Sequence, residues 1–144
     1  MLWVYHAWSL LQHRALSKVL ASGNMTDYPT ACAKVTASFS VLSDSVNSVK
    51  STLEHHNRRA AAHFVAELQK VENEKLNLTA ALHLERLRSR NALLERATLP
   101  SSEAEDRTVH LLKDGIRSLE RKIAKVVETI NEMLDELRCI AADA

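Results

Sequence analysis

Residues Val109 to Ile140 read VHLLKDGIRSLERKIAKVVETINEMLDELRCI, and this stretch decides the fold. Large apolar residues recur in it at alternating intervals of three and four: Val109, Leu112, Ile116, Leu119, Ile123, Val126, Ile130, Met133, Leu137 and Ile140. On an α-helix this spacing gathers the apolar side chains into one seam along the axis. Such a seam has to be buried against another helix, as in a coiled coil. The stretch therefore predicts a long, packed helix.

Earlier segments of the chain repeat this pattern. One has apolar residues at Val35, Phe39, Leu42, Val46, Val49 and Leu53, separated mostly by Ser, Thr, Asn, Asp and Lys. The next has Phe64, Leu68, Val71, Leu78 and Leu82, with Lys75 at one apolar position. The start of the chain, MLWVYHAWSLL, is too short for a membrane span and lacks the basic residues of a secretory signal. We interpret it as a buried first helix, with a mitochondrial address as the alternative.

The stretch SGNMTDYP, Ser22 to Pro29, contains one of the two glycines and one of the two prolines of the chain. Gly23 is predicted to end the first helix in the left-handed conformation. Pro29 is predicted to sit in the first turn of the next helix and to hold Tyr28 extended. Thr26 and Asp27 offer side-chain acceptors to the free amides of that turn. A tight reversal of the chain is therefore expected here.

Two further breaks are visible. Pro100 stops the third segment, and Ser102 followed by Glu105 fits a capping box at the start of the fourth. The polar stretch from His55 to Arg58 predicts a bend or short loop near Asn57. A continuous helix through these residues is the alternative.

We therefore predict an all-α protein, an elongated antiparallel bundle of about four helices with coiled-coil (heptad) seams. Short connections and the absence of a flexible linker predict a single helical domain over residues 1–144. The helices are predicted near residues 2–21, 30–55, 59–97 and 103–141.

Several landmarks of the sequence resemble a known family. They are Ser22-Gly23, Asp27-Tyr28-Pro29, Val35 to Phe39 with Ser43, Val65 to Glu72, Leu82 to Leu84, Ile123 to Glu132, and Leu134 to Arg138. In this order they are similar to the Required-for-Excision DNA repair family, B type, over most of residues 20–138. The chain departs from the family in its short leader and in lacking Gly or Pro at the turn from His55 to Arg58. The resemblance implies a small helical protein linked to the repair of damaged DNA, with no catalytic residues to carry over.

The residues themselves give little support to catalysis. No Gly-x-Ser-x-Gly sequence and no glycine-rich phosphate loop is present. Cys32 and Cys139 lie far apart, and neither has a second Cys or a His at metal-ligand spacing, so both are predicted to be reduced. The histidines form no His-x-x-x-His or Glu-x-x-His pair. We therefore predict no enzyme activity, no cofactor and no metal site.

The charge pattern bears on partners. The net charge is +1, from 19 basic and 18 acidic residues. This excess of basic residues is small for a protein whose main role is to bind nucleic acid. Arg86, Arg88 and Arg90 form a local basic stretch in which Arg86 and Arg90 share a helix face. No aromatic residue interleaves with them to stack on a base. We therefore predict a solvated or salt-bridged helix face here, with direct nucleic-acid binding and a protein-docking patch as the alternatives.

The residues predicted to form an interaction surface are Asp27, Tyr28, Pro29, Arg86 and Arg90. The predicted function is a non-enzymatic accessory protein of excision repair, a helical adaptor or scaffold that binds protein partners through its seams and could also self-associate. The expected location is intracellular, in the nucleus rather than the cytoplasm, without membrane contact. The alternative is a coiled-coil assembly subunit of a cytoskeletal or other multiprotein complex with no direct repair role.

Overall fold

The computed structural model describes residues 25–98 and 103–142. A single 3₁₀ turn, Met25–Asp27, precedes three α-helices: α1, Tyr28–His55; α2, Arg59–Thr98; and α3, Glu103–Ala142. These two ranges contain no β-strand, so the all-α prediction is confirmed. The predicted helix near residues 2–21, the cap at Gly23 and the break at residues 100–102 lie outside the described residues. The count of four helices therefore stays a prediction.

The first described helix begins two residues before its predicted start at residue 30. Pro29 lies within the first turn of α1. There its missing N–H removes no hydrogen bond, because the first amides of a helix have no carbonyl partner within it. Tyr28 is consequently helical, and the prediction that Pro29 holds it extended is wrong. Asp27 precedes the helix with φ −85° and ψ −11° and makes no side-chain capping hydrogen bond, so the predicted cap at Asp27 is also wrong.

The turn between α1 and α2 confirms the predicted bend near Asn57. Asn57 has a positive φ of 58°, the left-handed conformation that ends many helices. Its amide donates to the carbonyl of Glu54 at 3.0 Å, and the amide of Arg58 donates to that of Leu53 at 2.8 Å. These two bonds define a Schellman motif, with Asn in the position that glycine most often takes. Asn57, whose side chain tolerates the left-handed conformation, thus ends α1, and α2 starts at Arg59.

The chain divides into two compact units. The first comprises residues 1–71 and 130–144, and its buried apolar residues are Ala62, Val65, Leu68 and Ile130. Within it, Nε2 of Gln69 in α2 donates to Oδ1 of Asn47 in α1 at 3.4 Å. These residues lie at comparable distances along the chain from the turn at Asn57. The contact therefore fits an antiparallel arrangement of α1 and α2.

The second unit comprises Glu72–Thr129, and its buried apolar residues are Leu82, Val109 and Val126. Arg86 of α2 pairs with Glu120 of α3, and Arg96 pairs with Asp106. Arg96 lies nearer than Arg86 to the connection between the two helices, and its partner Asp106 lies nearer to that connection than Glu120 does. Within this unit α2 and α3 therefore run antiparallel.

Burial along α3 follows the seam predicted from its sequence. Val109, Val126 and Ile130 are buried, and Ile130 is fully inaccessible. The seam positions between them are half-buried, and Ile140 at the end is exposed. The remaining large residues of the helix are mostly exposed. The inward face of α3 is thus the predicted one, while a coiled-coil geometry of the seams stays a prediction.

Candidate interaction surfaces

The first predicted site, Asp27-Tyr28-Pro29, forms the start of α1 in the first unit. Asp27 and Pro29 are exposed, whereas Tyr28 is half-buried. Burial raises the pKa of the Tyr28 hydroxyl above its usual value, and the side chain of Cys32, one helical turn later, raises it further. The Tyr28 hydroxyl therefore lies beside the Cys32 side chain of its own helix.

The second predicted site is the arginine-rich stretch of α2, in the second unit. Nη2 of Arg86 donates to Oε1 of Glu120 at 2.9 Å. Arg88 donates to Glu85 at 2.8 Å, and Arg96 lies 2.9 Å from Oδ1 of Asp106. Arg90 forms no ion pair with another residue of the described part. Three of the four arginines are thus neutralised by acids, and only Arg90 is left to an external anion.

A row of cations on α3 was missed by the sequence reasoning. Lys113, Arg117, Arg121 and Lys125 follow one another at intervals of four residues, and all four are exposed. Residues four apart are neighbours on a helix surface, so these side chains form a continuous row. The signal that could have found them is their regular spacing, which a total charge of +1 conceals.

The apolar row of α1 is only partly covered. None of the 28 residues of this helix is buried, although the whole helix is described. Val35, Leu42, Val46 and Leu53 are half-buried. Val41, beside this row, is 66% exposed. The described part of the chain thus leaves apolar surface exposed along α1.

Hydroxyl groups flank the apolar row of α1 at regular intervals. Ser38, Ser45 and Thr52 are seven residues apart, and each donates to the backbone carbonyl four residues earlier, at 2.8, 2.9 and 2.9 Å. Because the spacing is one heptad, the three hydroxyls lie on the same side of the helix. Each has its donor satisfied within α1.

Charged residues are buried in α2. Glu72 and Lys75 are both buried, and Nζ of Lys75 lies 2.5 Å from Oε2 of Glu72. This oxygen accepts no hydrogen bond of good geometry from the described residues, so the contact is an ion pair by distance. His83 and Ser89 are buried further along the helix. The inward face of α2 therefore includes Lys75, which occupies a position of the predicted seam, and three polar residues that the apolar spacing did not predict.

The described residues also bear on metal, thiol and membrane sites. Within residues 25–98 and 103–142, no group of three or more His, Cys, Asp or Glu side chains could hold a metal ion. Cys32 and Cys139 are both free thiols. Among the described helices, none is long and apolar enough to cross a membrane.

Together these features define a helical protein whose candidate sites, among the described residues, are helix surfaces. Residues 5–86 match the sequence model of the family described as DNA repair REX1-B. The match spans more than half of the chain, and the chain therefore belongs to this family, as its landmarks predicted. The name of the family indicates a role in DNA repair. No curated protein and no solved structure matches the chain.

The matched residues include the turn before α1, all of α1 and the first part of α2. They end at residue 86. The landmarks proposed on α3, from Ile123 to Arg138, lie beyond the match, as do Arg90 and the cations of α3. Their relation to the family stays a prediction.

Proposed function

We propose that this chain is a non-enzymatic accessory protein of DNA repair that acts as a helical adaptor for other repair proteins. Membership of the DNA repair REX1-B family supports the repair context. The incompletely covered apolar row of α1 supports the adaptor role and is the observation that carries it. A repair role favours a location inside the cell, in the nucleus rather than the cytoplasm.

The partner surface that we propose is the apolar row of α1 together with Val41. A helix with an unburied apolar face is suited to pack against a helix or groove of another chain. Half-buried residues such as Leu42 and Val46 have lost only part of their accessible surface, so a partner would bury the remainder. At about 25 cal/mol per Å² of apolar surface, that remainder contributes usefully to binding.

Co-purification from damaged and undamaged cells tests the proposal. The double variant Leu42→Gln/Val46→Gln places two polar groups in the row and should lose the repair partners. The matched control Ser40→Gln/Ser51→Gln adds the same side chains at exposed positions of the same helix and should keep them. Thermal unfolding of both variants checks that the helices still form.

Two results would contradict the proposal. One is equal recovery of repair proteins by the wild type and by the row variant. The other is a stable set of partners without any repair protein, which would favour the assembly subunit of a different complex.

A further inference from the structure

The part of α3 that contains the exposed row of cations has a higher net positive charge than the chain as a whole. Residues 107–125 contain six basic and two acidic residues, a local net charge of +4 against +1 for the protein. We call Lys113, Arg117, Arg121 and Lys125 the basic ladder. At a rise of 1.5 Å per residue, its members succeed one another about every 6 Å along the helix.

The acids of the described chain between residues 106 and 125 are already engaged. Asp106 pairs with Arg96, and Glu120 pairs with Arg86, both across to α2 in the second unit. Asp114 lies 3.4 Å from Nη1 of Arg117 on the same helix. Each acidic residue between residues 106 and 125 is therefore paired with an arginine.

Three members of the basic ladder remain without an acid. Lys113, Arg121 and Lys125 form no ion pair with any residue in the described part of the chain. Arg121 donates from Nε to the backbone carbonyl of Arg117 at 3.3 Å, which leaves its charge uncompensated. Arg90 of α2 is in the same state. The antiparallel register set by the pairs of Arg86 and Arg96 places it level with the first half of the ladder.

We propose that the basic ladder binds the phosphate backbone of duplex nucleic acid. A nucleic-acid strand presents one negative charge about every 3.4 Å along its axis, so a regular row of cations meets several phosphates without any matched pocket. An acidic protein segment would complement such a row only where its own acids happened to be evenly spaced. The uniform spacing of the ladder therefore favours nucleic acid.

The chemistry around the ladder also defines the kind of binding. Residues 72–129 contain no Phe, Trp or Tyr. Proteins that hold single strands commonly stack bases on such side chains, so the duplex is the expected form. Lysine and arginine contacts to phosphate fix position without reading bases, so binding should be independent of sequence. This contact goes beyond the adaptor role, which needs only the surface of α1.

Fluorescence anisotropy of the full chain with a labelled duplex of mixed sequence tests the inference. The variant Lys113→Gln/Arg121→Gln/Lys125→Gln removes the uncompensated cations of the ladder. The control Lys34→Gln/Arg58→Gln/Arg59→Gln removes the same charge from exposed positions of the first unit. We expect the ladder variant to bind roughly tenfold more weakly or worse at about 50 mM salt, and the control to bind as the wild type does.

Salt dependence provides a second readout. Each phosphate that a variant no longer neutralises should make the slope of log K against log salt concentration shallower by about 0.9. The single variants Lys113→Gln and Lys125→Gln should each show this change, and they keep the test valid if the triple variant folds poorly. Loss of duplex binding with partner co-purification intact would leave the adaptor role untouched.

Three outcomes would overturn the inference. The wild type could fail to bind the duplex at low salt. The ladder and control variants could weaken binding equally, which would make it an effect of overall charge. Polyglutamate of similar length could bind more tightly than the duplex, which would identify an acidic protein as the ligand of the ladder.

Discussion

α2 and α3 each contain 40 residues, yet the rows that they bury differ in chemistry. The buried residues of α3 are all apolar, namely Val109, Val126 and Ile130. Those of α2 include Glu72, Lys75, His83 and Ser89 beside four apolar residues. The buried face of a helix can thus consist of apolar side chains alone, or it can also include opposite charges that form an ion pair. Only the first case gives an unbroken apolar repeat in the sequence.

The largest expected effect concerns the apolar row of α3. Ile130→Ala should lower the free energy of unfolding by about 2–5 kcal/mol, because a fully buried side chain leaves a cavity. Ile123 is on the same seam but half-buried, so Ile123→Ala should cost less than half as much. Denaturant unfolding of both variants measures the ratio. Equal losses at the two positions would mean that burial is uniform along the seam.

The second effect concerns the inward pair of α2. Lys75→Ala should destabilise the protein by about 3–5 kcal/mol, because Glu72 keeps a buried charge without a partner. The double variant Glu72→Leu/Lys75→Leu should recover most of this loss, because it removes both charges together. Thermal or denaturant unfolding compares the two.

A matched pair on the outside of the same helix provides the control. Glu67 and Lys70 have the same spacing and lie 2.6 Å apart, but their side chains are 41% and 72% exposed. Lys70→Ala should therefore leave stability almost unchanged, as is usual for surface pairs. If Lys75→Ala proved equally harmless, the inward pair would be a surface pair in solution.

A smaller effect is expected at Gly115, in the interior of α3. A Cβ atom added there would meet no other atom within 4 Å. Gly115→Ala should therefore stabilise the protein by about 0.5–1 kcal/mol through helix propensity and a less flexible unfolded chain. Ala124→Gly, at an exposed position of the same helix, is the reverse change and should lower stability by a similar amount. A loss of stability on Gly115→Ala would show that the space beside residue 115 is filled.

The smallest effect is a titration. The hydrogen bond from Lys70 lowers the pKa of Glu67 below its ordinary value of 4.5, and the charges of Lys70 and His63 add to this. A lowered pKa in the folded state means that the pair stabilises the protein above pH 4.5. This contribution is lost as the pH falls through the folded-state pKa. NMR titration of the Glu67 carboxylate should show the lowered value in the wild type and a return toward 4.5 in Lys70→Ala.

The difference between the two helices also explains what could be predicted from the sequence. The inward face of α3 followed from its unbroken apolar spacing. In α2 three positions of the predicted seam, Leu68, Lys75 and Leu82, are buried, and its other positions are half-buried. Val65 and Glu72 lie outside the predicted seam and are buried as well. Apolar spacing could not show that two opposite charges three residues apart would share the inside of a helix.

The interaction surfaces were less predictable for a related reason. The sequence placed Arg86 in a local basic stretch but could not identify its partner, because Glu120 lies 34 residues away and only the paired helices bring the two together. Within the described residues, Lys113, Arg121 and Lys125 of α3 form no ion pair, whereas Glu120 and Asp106 of the same helix pair with arginines of α2. The charge available at a surface thus depends on long-range pairing, which local sequence does not contain.

The hydroxyl row of α1 has a consequence for the thermodynamics of association. A polar group costs free energy on burial mainly when it loses hydrogen bonds to water without replacing them. The donors of Ser38, Ser45 and Thr52 already bond to carbonyls of their own helix. A partner that covers this side would therefore leave these donors bonded, and its gain would come from burying the apolar row beside them. Calorimetry of the complex should accordingly show a negative heat-capacity change, despite the many serines and threonines on the helix.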